Sequence, residues 1–232
     1  MMTVLANPTL NPASAKLLAN FTSKLPALIA ASLLALSSVL VVGCSNTPTE
    51  QVLPAGSHVI ALGDSLTYGY GASPKTAYPT VLAELSRWQV KNEGVNGNTS
   101  QDVLARTDRV VAQQPDLVLL GVGGNDVLQR VQPATTSDNI TAIISKFKAA
   151  DIQVVLIAQP YFSTSALFGK ASDNPIYKEI AAAEKVPLYS GGWSEILSNE
   201  RLKSDQIHAN PAGYRQFAQG LFVYLQDQGL AR

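Results

Sequence analysis

The chain has 232 residues, of which 46% are hydrophobic and 15% are charged, and its formal net charge is zero. This length and apolar content suit one compact domain plus an additional segment. The sequence has no basic run of the kind that binds nucleic acid, so its charge argues against a nucleic-acid partner. Its single cysteine, Cys44, excludes an intramolecular disulfide framework and a cysteine-rich zinc site.

The N-terminal segment has the pattern of a secretory signal. Residues 1–49 contain no aspartate or glutamate, their only basic residues are Lys16 and Lys24, and an apolar run over 25–42 is followed by Gly-Cys44. Basic residues, an apolar stretch and small residues at the cleavage point are typical of exported proteins. We therefore predict a signal peptide over residues 1–43, a polar tether over 44–56 and a folded domain over 57–232.

Cys44 directly follows a small residue, and this pattern resembles the lipobox of bacterial lipoproteins. In that family the cysteine thiol is acylated and becomes the new N-terminus, so the resemblance implies Cys44 as the site of lipid attachment. Ser45 in the next position implies sorting to the outer membrane, on the periplasmic face of the cell envelope. Two alternatives stay open. The apolar run is about long enough to span a bilayer as an uncleaved anchor, or the segment is cleaved and the domain is secreted.

After the tether, short apolar runs alternate with segments of helical periodicity. The apolar runs predict strands at 58–62, 88–92, 117–122, 153–158 and 186–189. The periodic segments predict helices at 77–87, 100–113, 138–150, 174–184 and from 211 to about 226, the last with Asn210 as its N-cap. This alternation predicts an α/β fold in which helices cover both faces of a parallel sheet. Ligands of such sheets bind beyond the carboxyl ends of the strands.

Four short polar motifs follow predicted strands or precede the last helix. They are Gly63-Asp64-Ser65-Leu66, Asn92-Glu93-Gly94-Val95-Asn96-Gly97-Asn98-Thr99, Gly123-Gly124-Asn125-Asp126 and Asp205-Gln206-Ile207-His208. In this order they resemble the sequence blocks of the GDSL/SGNH hydrolases, and the resemblance covers nearly the whole folded domain. It is closest to bacterial lysophospholipases, arylesterases and acyl thioesterases. The resemblance implies a three-layer α/β/α sandwich with a five-stranded parallel sheet of flavodoxin-like type, and ester hydrolysis without a cofactor.

Ser65 and His208 are the candidate nucleophile and general base. Ser65 ends a buried strand and opens a turn, which can present its hydroxyl at the mouth of the sheet; a helix N-cap is the alternative role. His58 begins the same strand and is expected roughly 20 Å away, at ~3.3 Å per residue. His208 precedes the last helix and can return to the site. The two histidines cannot form a metal cluster at this spacing, so we predict no metal site.

Asp205, three residues before His208, is the candidate that orients the imidazole. A turn at that spacing can bring a carboxylate and an imidazole to one side, where the carboxylate fixes the tautomer. Asp126 stays open as a rival. Asp64 is adjacent to the nucleophile, but successive strand side chains point in opposite directions, so we expect it to tie the nucleophile loop instead.

An acyl-transfer hydrolase also needs hydrogen-bond donors for the developing oxyanion. The backbone N–H of Ser65 is one candidate. The resemblance implies two more, the backbone N–H of Gly97 and the side-chain amide of Asn125. Asparagine and glycine also favour turns, which is the alternative explanation for both residues.

Apolar residues near these motifs are candidate contacts for an acyl group. Leu66 and Ile207 flank the catalytic candidates and resemble acyl-contacting positions of the family, and Val127 and Leu128 follow Asn125. A segment after the fourth strand could form a lid; the alternative is that it packs against the edge of the sheet. Its apolar residues are Tyr161, Phe162, Leu167 and Phe168.

These features predict a serine esterase that hydrolyses carboxylic esters through an acyl-enzyme, with lysophospholipids and thioesters as further candidate substrates. Two other functions stay open. One is a carbohydrate O-acetyl esterase of the cell envelope, and the other is a non-catalytic envelope-binding lipoprotein. The expected partners are a small-molecule or lipid ester and, through the lipid anchor, a membrane. We expect the protein to be a monomer.

Overall fold

The computed structural model describes residues 52–161 and 171–232, and five strands within them form one parallel sheet. The strands are β1 (His58–Gly63), β2 (Gln89–Gly94), β3 (Leu117–Gly121), β4 (Gln153–Ile157) and β5 (Leu188–Tyr189), in the spatial order β2-β1-β3-β4-β5. Every neighbouring pair is parallel. This is the strand order of flavodoxin-like sheets, in which the chain reverses its direction of winding between β1 and β3.

Eight α-helices accompany the sheet in the described residues. They are α1 (Ser65–Tyr68), α2 (Tyr78–Ser86), α3 (Ser100–Val111), α4 (Gly124–Leu128), α5 (Pro133–Lys148), α6 (Ile176–Glu184), α7 (Gly192–Leu197) and α8 (Pro211–Asp227). A short 3-10 helix, Glu200–Leu202, precedes α8.

Alternate residues of β1 pack into two separate apolar cores. Val59 and Ala61 belong to the core beneath α2, α7 and α8, whereas Ile60 and Leu62 belong to the core beneath α3, α5 and α6. All four side chains are fully buried. A strand that is buried on both faces reads as a continuous apolar run, and this is why the sequence revealed it. The predicted α/β sandwich with a five-stranded parallel sheet is therefore confirmed.

Several element boundaries differ from the predicted ones. Helix α5 begins at Pro133 rather than at 138. The apolar pattern does not reveal its first turn, because the residue of that turn that faces inward is a threonine, Thr136, which is 3% exposed. The edge strand β2 continues to Gly94, since it keeps pairing with β1 although its side chains are polar. Helices α1, α4 and α7 span only four to six residues, too few to show a helical period in the sequence.

The folded domain includes residues that the sequence assigned to the tether. The Leu53 side chain is 8% exposed and packs in the core beneath α8, and its backbone N–H donates to Leu230 O at 2.9 Å. The ordered fold thus begins at least four residues before position 57. No helix within residues 52–161 and 171–232 has the length and apolar character needed to cross a bilayer.

Three neighbouring strands end on glycine at the same level of the sheet. Gly63 of β1 is in register with Gly94 of β2 on one side and with Gly121 of β3 on the other. A Cβ at Gly63 would overlap the backbone of Gly121 and the Thr67 hydroxyl, and one at Gly94 would overlap the backbone at Tyr68. The absence of these side chains lets α1 cross directly over the ends of the strands.

Candidate active site

Ser65 is the first residue of α1, immediately beyond the carboxyl end of β1. Asp64 is the N-cap of this helix, and its carboxylate accepts the backbone N–H of Leu66 at 3.0 Å. The expectation that Asp64 ties the nucleophile loop is confirmed by this bond. Asp64 is 2% exposed, and burial, together with the nearby charge of Asp126, raises its pKa from the ordinary 3.8 to about 7.

His208 reaches Ser65 from the loop that precedes α8. The imidazole Nε2 lies 3.0 Å from Ser65 Oγ. The loop is closed by Asn210, which caps α8 by accepting the Gly213 N–H at 3.0 Å and donates from its amide to Arg201 O at 2.8 Å. The position of His208 therefore follows from the start of the last helix, although 143 residues separate it from the serine.

Asp205 binds the other ring nitrogen of His208. Its Oδ2 and Oδ1 lie 2.8 and 3.0 Å from Nδ1. Oδ1 also accepts the backbone N–H groups of Ile207 and His208 at 2.9 and 2.8 Å. Partial burial acts to raise the pKa of Asp205, but the His208 ring and the Ile207 N–H outweigh it and lower that pKa overall. The carboxylate thus stays ionised beside the imidazole near neutral pH.

Asp126, the rival for this role, has other partners. Its carboxylate accepts the Ser100 N–H at 2.8 Å, the Ser100 hydroxyl, and the Thr136 hydroxyl at 3.2 Å. Asn139 completes the cluster by donating to Ser100 Oγ at 2.9 Å. Asp126 therefore joins α3, α4 and α5 behind the site. His58 lies at the opposite end of the sheet, where its N–H donates to the Asp116 carboxylate at 2.7 Å.

Besides the Ser65 N–H, the candidate oxyanion donors lie in the loop after β2 and in α4, which follows β3. Gly97 is exposed and has φ +79°, a left-handed conformation that glycine adopts without strain. Asn125 lies in the first turn of α4, and its amide Nδ2 donates one hydrogen to Asn98 O at 3.0 Å. An amide has two such hydrogens, and within the described part of the chain the second has no acceptor, so it stays available for a substrate oxygen. Ser65 and Asn125 therefore flank the reversal point of the sheet, between β1 and β3, where flavodoxin-like folds bind ligands.

The candidate acyl contacts differ in exposure. Leu66 is 3% exposed and packs in the core beneath α8, Val127 and Ile207 are half-buried, and Leu128 is 46% exposed. Their contact with a substrate stays a prediction. Of the candidate lid residues, Tyr161 is exposed, and Phe162, Leu167 and Phe168 lie outside the described residues.

Tyr70 is a neighbour of the site that the sequence did not reveal. Its ring packs against the imidazole of His208, with 4.4 Å between ring centroids and 39° between planes. The buried Tyr214 of α8 donates its hydroxyl to Tyr70 O at 2.8 Å and holds this turn in place. A tyrosine after a glycine carries no local signal for such a contact, because the contact depends on the return of α8.

A hydroxyl, an imidazole and a carboxylate in hydrogen-bonded series beyond a parallel sheet form the arrangement with which serine hydrolases activate a nucleophile. The model of the GDSL-like Lipase/Acylhydrolase family matches residues 61–216, and the chain belongs to this family. It is a serine hydrolase that acts on ester bonds.

The names of curated relatives agree with this assignment. The chain is 33% identical over 165 residues to the Thioesterase 1/protease 1/lysophospholipase L1 of Escherichia coli strain K12, an alignment that covers 67% of this chain and 77% of the relative. It is 28% identical over 167 residues to the Arylesterase of Vibrio mimicus, covering 68% and 82% of the two chains.

Solved structures share the fold. The esterase EstA of Pseudoalteromonas sp. superposes with a TM-score of 0.63 at 22% identity, covering 73% of this chain and 96% of that one. A G-D-S-L family protein of Desulfitobacterium hafniense superposes with a TM-score of 0.60 at 25% identity, covering 72% of this chain and 98% of that one.

Proposed function

We propose that Ser65 is the nucleophile of an ester hydrolase, with His208 as its general base and Asp205 as the residue that orients the imidazole. The observation that carries this proposal is the continuous series from Asp205 Oδ2 to Nδ1 at 2.8 Å and from Nε2 to Ser65 Oγ at 3.0 Å. His208 takes the proton of the serine hydroxyl as Oγ attacks the ester carbonyl. It then returns the proton to the leaving alcohol, and water hydrolyses the acyl-enzyme with the same base.

The oxyanion formed in each step is assigned three donors. They are the N–H groups of Ser65 and Gly97 and the second amide hydrogen of Asn125. The bond from Asn125 to Asn98 O supports this assignment, because it fixes the plane of the amide before a substrate arrives. Donors that are fixed in advance lower the barrier without reorganisation during the reaction.

We assign carboxylic esters of small or medium acyl groups as substrates, with lysophospholipids and acyl thioesters as further members of the class. The activities in the names of the Escherichia coli and Vibrio mimicus relatives support this range. The half-buried Ile207, in the loop before α8, and Val127 and the exposed Leu128, at the end of α4, supply apolar surface near the site. Leu66 would act mainly by packing beneath the nucleophile.

Hydrolysis of p-nitrophenyl esters of increasing chain length tests the nucleophile and the acyl preference together. Ser65→Ala should reduce kcat for every ester by at least ~10⁴-fold, since the nucleophile is lost. Ser145→Ala, an exposed serine on α5, is the matched control and should retain the full rate. Equal rates in wild type and Ser65→Ala would refute the nucleophile assignment.

A carbohydrate O-acetyl esterase is the second candidate. The observation that favours it is aromatic surface close to the nucleophile: Tyr68 and Tyr70 follow Ser65 and are 52% and 48% exposed. Exposed aromatic rings of this kind can pack against sugar faces. Acetate release from O-acetylated cell-wall polysaccharide, measured beside hydrolysis of p-nitrophenyl butyrate, separates the two. A faster reaction on the polysaccharide, lost in Tyr68→Ala, would favour the second candidate.

We also propose that the protein is a monomer attached by lipid at Cys44 to the periplasmic face of the outer membrane. The apolar run over 25–42 and the Gly-Cys-Ser sequence that follows support this location. Cys44→Ser should move the protein from the membrane fraction to the soluble fraction of the envelope. A variant that stays membrane-bound would favour the uncleaved anchor.

A further inference from the structure

Arg106 is a largely buried cation close to the candidate active site. It lies on α3, and its side chain is 14% exposed. Its Nη2 donates to Gly63 O at 2.9 Å, and its Nε donates to the Asn98 side-chain oxygen at 3.0 Å. One guanidinium therefore bridges the end of β1 and the loop between β2 and α3.

The two residues that accept from Arg106, Gly63 and Asn98, are close in sequence to candidate oxyanion donors. Gly63 precedes Ser65 by two residues, and Asn98 directly follows Gly97. The backbone carbonyl of Asn98 also accepts the amide of Asn125 at 3.0 Å. Through these contacts Arg106 connects the three segments that supply the donors, which are the start of α1, the loop after β2, and α4.

The charges around Arg106 hold it in this position. Its Nη1 lies 3.8 Å from Glu93 Oε2, an ion pair too long for a hydrogen bond, and Lys91 and Arg109 bind the same carboxylate at 2.8 and 3.3 Å. Burial lowers the pKa of Arg106, and the charge of Glu93 opposes that effect. An arginine remains charged under such conditions, so its donors are permanently available.

The geometry of the side chain explains why arginine occupies this position. A guanidinium presents donors in a rigid planar fork and can bind two acceptors on different segments at once. A lysine ammonium is a single point on a flexible stem, so it can bind Gly63 O or the Asn98 side chain but cannot fix the spacing between them. The Arg109 side chain, one turn further along α3, is 66% exposed, and among the residues that the structure describes its partner is Glu93.

We propose that Arg106 is a positioning residue of the oxyanion hole, which sets the spacing between the segments that carry Ser65, Gly97 and Asn125. This inference rests on the proposed function. The donors act on the charge that develops in the transition state, whereas an ester in its ground state carries little charge for them. Loss of Arg106 should therefore lower kcat and leave KM nearly unchanged.

The test compares Arg106→Met and Arg106→Lys with Arg109→Met as the matched control, using p-nitrophenyl butyrate on the full protein. We expect both Arg106 variants to lower kcat by on the order of 10- to 100-fold with KM within about threefold, because misplacement of about 1 Å has an effect of that size. Arg109→Met should keep the wild-type kcat. A kcat retained in Arg106→Met, or an equal loss in Arg109→Met, would overturn the inference.

Two further variants separate positioning from a purely structural role. Asn98→Ala keeps the backbone carbonyl but removes the acceptor of Nε, and it should reproduce part of the kcat loss even if Arg106→Met fails to fold. In the Asn125→Ala background, Arg106→Met should lower kcat by a smaller factor than in wild type, because one of the donors that Arg106 positions is already absent. Full additivity, or no effect of Asn98→Ala, would refute positioning. Activity retained in Ser65→Ala would instead refute the proposed function itself.

Discussion

Replacement of Asp205 by asparagine removes the negative charge beside His208 and keeps nearly the same side-chain shape. The two backbone N–H groups that bind Oδ1, at 2.9 and 2.8 Å, hold the amide oxygen of the substituted side chain in the same place. The amide nitrogen then replaces Oδ2, which lies 2.8 Å from His208 Nδ1. An amide N–H facing Nδ1 makes that nitrogen an acceptor, so the proton moves to Nε2. Nε2 faces Ser65 Oγ at 3.0 Å and can no longer accept its proton.

The expected loss in kcat for Asp205→Asn is ~10⁴-fold, the size seen when a triad carboxylate becomes an amide and the tautomer is reversed. It equals ~5.5 kcal/mol of transition-state stabilisation. The Asp205 side chain is 43% exposed, so water can bind the amide and partly restore the original tautomer. The expected loss in kcat therefore lies between ~10³- and ~10⁴-fold. The assay is steady-state hydrolysis of p-nitrophenyl butyrate, with the thermal unfolding midpoint measured for each protein.

Asp116→Asn is the matched control, since Asp116 is an exposed carboxylate that accepts the backbone N–H of His58 at the far end of the sheet. It should leave kcat unchanged. A loss of less than about tenfold in a folded Asp205→Asn protein would refute the assignment of Asp205 as the orienting carboxylate.

Three other predictions concern the oxyanion hole, a buried acid and the core. Asn125→Ala should lower kcat by ~10²–10³-fold with little change in KM, and an unaltered kcat would contradict its role. Burial raises the pKa of Asp64 in the folded protein to about 7, against an ordinary 3.8. Its contribution to the free energy of unfolding is therefore fully present below pH 3.8 and is lost as the pH rises through 7. Urea unfolding at pH 4 to 8 should show wild type losing up to ~4 kcal/mol relative to Asp64→Asn; parallel profiles would contradict this. Trp193 is 1% exposed and stacks on Phe217, with 3.5 Å between the ring centroids. Trp193→Ala should therefore lower the free energy of unfolding, measured by the same urea unfolding, by ~3–5 kcal/mol.

The fold could be predicted because its signals are local. Each buried strand appears as an apolar run, and Asn210 with Pro211 marks the start of the last helix without reference to the rest of the chain. The candidate site motifs could be found for the same reason, since each is a short segment at a strand end or a helix start. The first three motifs meet at one edge because their strands are parallel, whereas the fourth reaches that edge through the start of α8.

The supporting contacts could not be predicted, because they join residues that are distant in sequence. Asp126 binds Ser100 and Arg106 binds Gly63 across 26 and 43 residues, and both read locally as ordinary polar positions. The pattern of α3 gave Arg106 no distinction from Arg109, although one is largely buried and the other exposed. The proline and glycine around Leu53 predict a tether, whereas its side chain is buried in a core that it shares with the C-terminal Leu230.

The three aligned glycines limit how this enzyme can be redesigned. Any side chain at Gly63 or Gly94 would displace α1, which carries the serine, because the space above the strand ends is already filled by the backbone of that helix and by Thr67. A library aimed at new substrates therefore gains nothing from varying the floor of the site. Diversity is better placed at exposed positions around the site, such as Val95 in the loop after β2 and Leu128 at the end of α4. The acyl specificity can then change while the positions of Ser65, His208 and Asp205 stay the same.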